Sequence, residues 1–314
     1  MMHAPLPLKS LKLLVIAARV VGHRCLDAIL ANGGNVSGLL TLDGAKAGET
    51  VAFQPFDDLI AEHGLQSRRF TDLKDPALLD WARALDADLG IVVGVSNLIP
   101  DSLLAVPKQG FIGMHPTLLP EGRGRAPIPW AIIKGLRQTG VSLFWCDGGA
   151  DTGDLLAQQP VPIRASDTAS TLGARTDKVA ASLLVKALNG IAEGKAPRTR
   201  QDEAAASQWP RRRPEDGLID WHQPAERLYD WVRALTHPYP GAFTELSGRR
   251  LYIWSAKAFG GRSAAAPGTV LALSDAGATV ACETGALIMT SVQWDGQPET
   301  APANAGLCPG DRFA

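Results

Sequence analysis

Six histidines are spread along the 314 residues, and His115 has the setting that best suits chemistry. It follows the short apolar run 111–114, which predicts a buried strand, and it precedes a loop that begins with Pro116. In α/β sheets such strand ends open into the crevice where ligands bind. A neutral imidazole placed there donates to a developing oxyanion or moves a proton near neutral pH.

Two carboxylates follow the next apolar run, 141–145, in the sequence Asp151-Thr152-Gly153-Asp154. An ordinary acidic turn is one interpretation, because Asp and Gly are standard turn residues. The functional interpretation delivers His115 and Asp151 to neighbouring strand ends, where the carboxylate orients the ring or accepts a proton through water. The spacing of these residues along the chain does not decide between the two interpretations. No second histidine stands at ligand spacing from His115, so no metal site is predicted.

Arginines in two segments are candidates for binding an anionic substrate. Arg123 and Arg125 lie in the segment Glu-Gly-Arg-Gly-Arg-Ala-Pro, and their guanidinium groups suit a phosphate or a carboxylate. A solvated loop is the alternative. Arg211 and Arg212 begin a short basic run, which forms either a solvated surface or a contact to substrate phosphates if this segment lines the cleft.

The elements that position these residues alternate between strand and helix patterns. The predicted strands cover residues 11–18, 36–42, 67–70, 87–94 and 141–145, and the predicted helices cover 20–31, 56–63, 76–85 and 168–193. This order is typical of a doubly wound, mostly parallel α/β sheet. The phosphate-binding pattern G-x-G-x-x-G is missing after the first strand, so nothing supports a nicotinamide or flavin cofactor.

The composition changes near Lys195, where a polar segment rich in Arg and Pro begins. After it come a helix pattern and five short strand patterns, which predict a small OB-like β-barrel. We therefore predict an N-terminal catalytic domain over 9–195, a linker over 196–217 and a C-terminal OB-like β-barrel domain over 218–314. The first eight residues and the last dozen are predicted to be loosely ordered.

The composition is that of an ordinary globular protein, with 46% hydrophobic and 20% charged residues. A formal net charge of -1 gives no electrostatic argument for a nucleic-acid or membrane partner. The four cysteines are far apart and predict reduced thiols and a cytoplasmic location. No apolar run approaches the ~20 residues that span a bilayer.

Taken together, the motifs resemble those of the 10-formyltetrahydrofolate-dependent formyltransferases over nearly the whole chain. The matching segments are Gly113-Met114-His115, Thr117-Leu118-Leu119-Pro120, Arg123-Gly124-Arg125-Ala126-Pro127 and Asp151-Thr152-Gly153-Asp154, with further matches over 216–221 and 239–243. The resemblance implies a formyltransferase-type Rossmann-like domain followed by an OB-like barrel, which agrees with the organisation predicted above.

The resemblance also implies the chemistry, in which a primary amine takes the formyl group of 10-formyltetrahydrofolate. His115 would stabilise the oxyanion and help move the proton, and Asp151 would set the imidazole and accept the amine proton. The implied folate contacts are Val95, Asn97, Leu118, Asp147, Gly149, Asp151 and Asp154. The implied substrate contacts are Pro116, Thr117, Arg123, Arg125, Arg211 and Arg212.

One position departs from the family pattern, because Gly113 stands where the family has a catalytic asparagine. Losing an oxyanion donor typically costs ~2.7–4 kcal/mol. Either a backbone N–H, a water or Asn97 replaces it, or the chain has altered activity, including the alternative of a non-catalytic folate- or nucleotide-binding homologue. Gly113 also makes room for a bulkier substrate or a close backbone approach.

Two segments favour an amino-sugar acceptor. Residues 123–127 and 210–217 are similar to the amino-sugar-nucleotide enzymes, and the near-neutral charge does not favour a tRNA ligand. We predict an acceptor amine on a nucleotide-linked amino sugar, with methionyl-tRNA as the alternative. The predicted partner is thus a small molecule and not a membrane, and the oligomeric state, including a homodimer, stays open.

Overall fold

The computed structural model describes residues 7–261 and 264–314. They form two compact units, the first made of residues 7–127, 138–162 and 174–209 and the second of 128–137, 163–173 and 210–314. Residues 1–6 of the predicted loose N-terminus lie outside the described residues. Its last two residues belong to a 3-10 helix, Pro7–Ser10, in which Leu8 is buried.

The first unit is built on a seven-stranded sheet. In chain order its strands and the short strands beside it are β1 (Lys12–Ala17), β2 (Asn35–Leu42), β3 (Ser67–Phe70), β4 (Leu89–Val93), β5 (Phe111–His115), β6 (Arg123–Gly124), β7 (Gln138–Trp145), β8 (Leu155–Pro162) and β9 (Gln208–Trp209). The sheet order is β3-β2-β1-β4-β5-β7-β8, and the first five strands are parallel. The predicted doubly wound, mostly parallel sheet is confirmed. Strand β8 was not predicted.

Helices lie between and beside these strands, and the first four in the chain connect consecutive parallel strands. In chain order they are α1 (Val20–Ala31), α2 (Asp57–His63), α3 (Pro76–Ala84), α4 (Asp101–Leu104), α5 (Pro127–Ile133) and α6 (Ala169–Ala192). Within residues 7–261 and 264–314, no helix combines the length and the hydropathy that a membrane span needs.

The central strands are buried because their residues are apolar on both faces. In β1 every residue after Lys12 is buried, as expected for a strand that helices cover on both sides. Leu14, Ile16 and Leu40 pack with Phe111 in one core cluster. This core fixes β4 and β5, and with them the position of His115.

Strands β7 and β8 are antiparallel to their neighbours, which changes where the acidic turn begins. Trp145 at the end of β7 pairs with Ile112, near the start of β5, whereas Ser142 pairs with His115. The expectation that His115 and Asp151 come from neighbouring strand ends is therefore wrong. The turn after β7 starts beside the amino half of β5 and has to fold back to reach the histidine.

The second unit carries helix α7 (Ala225–Leu235) and five strands, β10 (Ala242–Leu246), β11 (Arg249–Phe259), β12 (Val270–Ser274), β13 (Gly277–Ala281) and β14 (Ala286–Trp294). They form one antiparallel sheet in the order β10-β11-β14-β13-β12. All five predicted strands are present. The loosely ordered C-terminus is a wrong prediction, because Phe313 is buried and stacks on Trp221 with ring centroids 5.6 Å apart.

Residues 196–217, predicted as a linker, contain regular structure. Strand β9 pairs with β6, and short 3-10 helices cover Glu203–Ala205 and Pro214–Gly217. Gln201 and Trp209 are only 4% and 5% exposed, so this polar segment has buried anchors. Residues 196–209 consequently belong to the first unit and 210–217 to the second.

Gly90 in β4 tests how tightly the core around β5 is packed. A Cβ atom there would lie 2.3 Å from Cδ1 of the buried Phe111, so we expect Gly90→Ala to lower the unfolding free energy by about 1–3 kcal/mol. Gly190→Ala is the matched control. It lies in α6 with no heavy atom within 4 Å of the added Cβ, and we expect a gain of about 0.5–1 kcal/mol. Thermal unfolding measures both, and equal melting temperatures would contradict this packing.

Candidate functional site

His115 ends β5 and is 5% exposed. Its Nε2 lies 2.8 Å from the carbonyl oxygen of Gly122. A carbonyl only accepts hydrogen bonds, so this contact assigns the ring hydrogen to Nε2. The neutral ring then presents the lone pair of Nδ1, which faces Asp151 across 3.5 Å to Oδ2.

The structure thus brings together the histidine and the aspartate named in the sequence analysis. A separation of 3.5 Å is longer than a normal hydrogen bond, and a neutral Nδ1 has no hydrogen to offer the carboxylate. When Nδ1 carries a proton, the imidazolium and the carboxylate have opposite charges and attract each other across this distance. This geometry suits proton acceptance at Nδ1, whereas donation from Nε2 to an oxyanion would require the ring to leave Gly122.

Asp151 is held in place from two sides. Its backbone has φ 61°, a left-handed conformation that Asp tolerates better than most residues. Its Oδ2 accepts a hydrogen bond from the N–H of Gly124 at 2.9 Å, and its carbonyl accepts one from Nε2 of Gln201 at 2.9 Å. The carboxylate is therefore positioned before any ligand arrives.

The acidic turn folds back against β7 because Gly153 has no side chain. A Cβ atom at this position would lie 1.7 Å from the carbonyl oxygen of Trp145. Asp147 shapes the same turn, since its Oδ1 accepts from the N–H of Gly149 at 2.9 Å and from the hydroxyl of Thr152 at 2.7 Å. Asp147 and Gly149, predicted as folate contacts, thus have a structural role in the turn as well.

Gln201 and Arg123 lie beneath this turn. Nε2 of Gln201 donates to the carbonyls of Asp151 and Gly153, and its Oε1 accepts from Nε and Nη2 of Arg123 at 3.1 and 2.9 Å. Arg123 also donates from both Nη atoms to the carboxylate of Glu203 at 2.9 and 2.7 Å. This pairing raises the pKa of Arg123 and lowers that of Glu203.

Arg123 is only 4% exposed, and four of its five N–H groups are used within this network. Its predicted role as a substrate clamp conflicts with this geometry, because an anion would have to displace Glu203 or Gln201. Arg125 is different. Its side chain is exposed while its backbone N–H donates to Trp209. Arg125 therefore stays a candidate substrate contact.

The remaining predicted contacts of the first unit fall into two groups. The hydroxyl of Thr117 donates to Glu121 at 2.8 Å, and the carbonyl of Pro116 accepts from Thr139 at 3.0 Å, so both organise the loop. The other three lie as follows: Leu118 covers Gly140, Val95 is half-buried against the core, and Asn97 is exposed.

Arg211 and Arg212 belong to the second unit. Arg211 is exposed, whereas the guanidinium of Arg212 lies between the rings of Trp130 and Trp231, 4.9 and 4.6 Å from their centroids. Burial lowers the pKa of Arg212, and its Nη2 donates to the carbonyl of Asp216 at 2.6 Å. A cation held between two indoles stabilises its own unit, and a substrate contact by Arg212 stays a prediction.

Phe144 and Cys146 occupy the space next to Gly113. A Cβ atom at Gly113 would lie 2.6 Å from Cζ of Phe144 and 3.0 Å from Sγ of Cys146. The cause is strand pairing, because Phe144 lies directly opposite Gly113 on β7 and is 6% exposed. Burial raises the pKa of the Cys146 thiol to about 12, so the group stays protonated. An asparagine side chain at this position would require the ring of Phe144 to move.

Several residues of the site were missed in the sequence analysis, notably Gln201, Gly122 and Phe144. Gln201 lies in a segment that was interpreted as a linker, and no motif singled it out. Gly122 acts through its backbone carbonyl, which carries no side-chain signal. Within residues 7–261 and 264–314, no group of three or more His, Cys, Asp or Glu side chains is placed to hold a metal ion.

Comparison with known proteins identifies two matching family models, "Formyl transferase" over residues 22–188 and "Formyl transferase, C-terminal domain" over 211–305. The chain is 35% identical to a methionyl-tRNA formyltransferase of Geotalea uraniireducens over 87% of both chains. Its fold is similar to that of an N-formyltransferase from Helicobacter canadensis, with TM-score 0.67, 16% identity and 89% and 98% of the two chains covered. It is also similar to HypX from Aquifex aeolicus, with TM-score 0.66, 20% identity and 94% of this chain covered, but it spans only 46% of HypX.

The contact between positions 113 and 144 gives a first test of the site. We expect Gly113→Asn to lower the unfolding free energy by about 1–3 kcal/mol, because the new side chain overpacks against Phe144. In the double variant Gly113→Asn/Phe144→Ala the removed ring makes room, so the total cost should be smaller than the sum of the single costs by about 0.5–3 kcal/mol. Denaturant unfolding of all four proteins closes this cycle, and additive costs would show that the two positions do not compete for space.

Proposed function

Because the chain belongs to the formyl transferase family, we propose that it transfers the formyl group of 10-formyltetrahydrofolate to the amine of methionyl-tRNA. The contact between His115 and Asp151 carries the chemical part of this proposal. The acceptor rests on the curated relatives, since three methionyl-tRNA formyltransferases are each 35% identical over 77–90% of the chain.

The first unit fits a donor of this kind. A cavity of about 420 Å³ lies beside the acidic turn and is lined by Trp145, Asp147, Asp154, Arg198 and Arg200 among others. It offers an indole, carboxylates and guanidinium groups to a ligand that combines a heterocycle, an aromatic ring and carboxylates. When bound, the donor supplies an electrophilic formyl carbon.

The protein's own contribution is to manage the proton of the attacking amine. The amine attacks through its lone pair, which a protonated ammonium group lacks. A base therefore has to accept the proton that the amine loses. Nδ1 of His115 has the free lone pair, and Asp151 stabilises the imidazolium that forms. The carbonyl of Gly122 keeps the ring oriented through Nε2 during this transfer.

Sequence analysis favoured an amino-sugar acceptor, and the curated relatives support the tRNA alternative better. A nucleotide-linked amino sugar nevertheless stays as the second candidate, because one observation favours it. Residues 218–314 contain seven Lys and Arg against nine Asp and Glu, and the whole chain has net charge -1. A protein that binds tRNA through its phosphates normally presents a clearly basic surface.

The two acceptors are separated by a direct assay. We expect the purified protein with 10-formyltetrahydrofolate to formylate initiator methionyl-tRNA, with a rate that falls steeply as salt is added, because phosphate contacts are salt-sensitive. Mass spectrometry of parallel reactions with a panel of nucleotide-linked amino sugars gives the comparison. A formylated sugar with unmodified tRNA would select the second candidate. No product with any amine would leave only folate or nucleotide binding without turnover.

The proton-transfer roles are tested by two substitutions. We expect Asp151→Asn to lower kcat at least about 100-fold while the protein stays folded, because Asn still accepts from Gly124 but cannot stabilise an imidazolium. His115→Ala should lower kcat by at least as much. His63→Ala is the matched control, since this residue lies in α2 and is not in contact with Asp151. Near-normal kcat in Asp151→Asn, measured in saturating donor and acceptor, would exclude the pair from proton transfer.

A further inference from the structure

The cavity beside the acidic turn has one wall made by residues 197–201, and this wall is firmly held. Trp145 donates from Nε1 to the carbonyl of Pro197 at 3.1 Å. Thr199 exchanges two backbone hydrogen bonds with Leu155, at 2.8 and 3.0 Å, which adds the segment to the edge of β8. Gln201 is buried and bonded to the turn. The segment is therefore fixed at every second residue.

This geometry places Arg198 and Arg200 on one side of the segment. Side chains alternate along an extended chain, so residues 198 and 200 point to the side opposite Thr199. Both arginines line the cavity. The guanidinium of Arg198 lies over the ring of Trp145, 3.8 Å from its centroid, which restricts its motion.

Neither arginine has a carboxylate of the described residues within ion-pair distance. Three carboxylates line the cavity with them, those of Asp147, Asp154 and Glu203. Glu203 pairs with Arg123, and Asp147 accepts hydrogen bonds within the turn. The positive charge of Arg200 makes only a minor contribution to lowering the pKa of Glu203. Two exposed guanidinium groups thus line the cavity without a direct ion-pair partner among the described residues, beside the carboxylates of Asp147, Asp154 and Glu203. Such a pair favours a ligand with carboxylates or phosphates.

The position of the cavity indicates which ligand brings these negatively charged groups. Its lining includes Thr152 and Gly153, which directly follow Asp151, and Gln201, which donates to the carbonyl of Asp151. A ligand that reacts beside His115 and Asp151 therefore needs only to extend past the turn to reach the arginines. The folate donor has this shape, because its glutamate carries two carboxylates at the end of the molecule away from the pterin.

We infer that Arg198 and Arg200 bind the glutamate carboxylates of the folate donor, and that further γ-linked glutamates strengthen this contact. Asp147 and Asp154 line the same cavity, and their carboxylates suit hydrogen-bond donors of the ligand. The inference rests on the proposed function, because it assigns an anchoring site to the proposed donor. It concerns donor affinity only, since neither arginine contacts His115 or Asp151.

Equilibrium binding tests this without any turnover. The probes are 5-formyltetrahydrofolate as the monoglutamate, its triglutamate, and 5-formyltetrahydropteroate, which lacks the glutamate; quenching of tryptophan fluorescence reports the Kd. We expect Arg200→Ala to raise the Kd of the monoglutamate about fivefold, which is the upper range for an exposed ion pair, and to leave the Kd of the pteroate unchanged. The effect on the triglutamate should be larger, and added salt should reduce it.

Two variants serve as controls. Arg200→Lys retains the charge and should stay close to wild type. Arg83→Ala removes an exposed arginine of α3 that does not line the cavity, and it should change none of the three Kd values. Arg198→Ala should weaken the glutamate-bearing ligands too, but it also uncovers Trp145, so Arg200→Ala is the primary variant.

Each other outcome overturns the inference in a recognisable way. If Arg200→Ala weakens all three ligands equally, the arginine does not recognise the glutamate. If it changes none of them but raises the KM of the acceptor, the arginines belong to the acceptor site. Failure of the proposed function differs from both, because wild-type protein would then bind none of the three probes.

Discussion

One buried amide, that of Gln201, joins the parts of the first unit that surround His115. Its nitrogen donates to two carbonyls of the acidic turn, and its oxygen accepts from the buried guanidinium of Arg123. Removing such a group leaves several buried polar atoms without partners, each at a cost of roughly 1–3 kcal/mol. The position of Asp151 against the histidine therefore depends on a residue that forms no hydrogen bond with the imidazole.

The histidine is constrained just as strongly. The Gly122 carbonyl fixes the hydrogen on Nε2, and this leaves Nδ1 as the basic atom beside the carboxylate. A motif shared with the formyltransferases thus comes with a defined tautomer, and the tautomer favours proton acceptance over oxyanion donation. At Gly113 the side-chain amide expected of the family is absent, and Phe144 fills its space. Stabilisation of the oxyanion has to come from another group.

Strand direction explains why these features occur together. Since β7 runs antiparallel to β5, Phe144 lies opposite Gly113 and Ser142 lies opposite His115. The same pairing starts the acidic turn at the far end of β5, so that the turn has to fold back, which a glycine at position 153 allows. The folded-back turn and the segment that bonds to it then enclose the cavity lined by Arg198 and Arg200.

Local patterns were sufficient to predict most of the fold. Apolar runs such as that of β1, helix periodicity such as that of α1, and the five short strands of the second unit depend on neighbours within a few residues, so the sequence by itself determined them. It also determined the family, through the motifs around His115 and Asp151. Tertiary structure decided the rest, because Arg123, Gln201 and Phe144 obtain their roles from residues that are 30 to 80 positions away along the chain or on an opposite strand. An arginine that binds substrate at the surface and an arginine that is buried in a structural network look the same in the sequence. For Arg123, only the partners that the fold brings to it, Gln201 and Glu203, show which of the two it is.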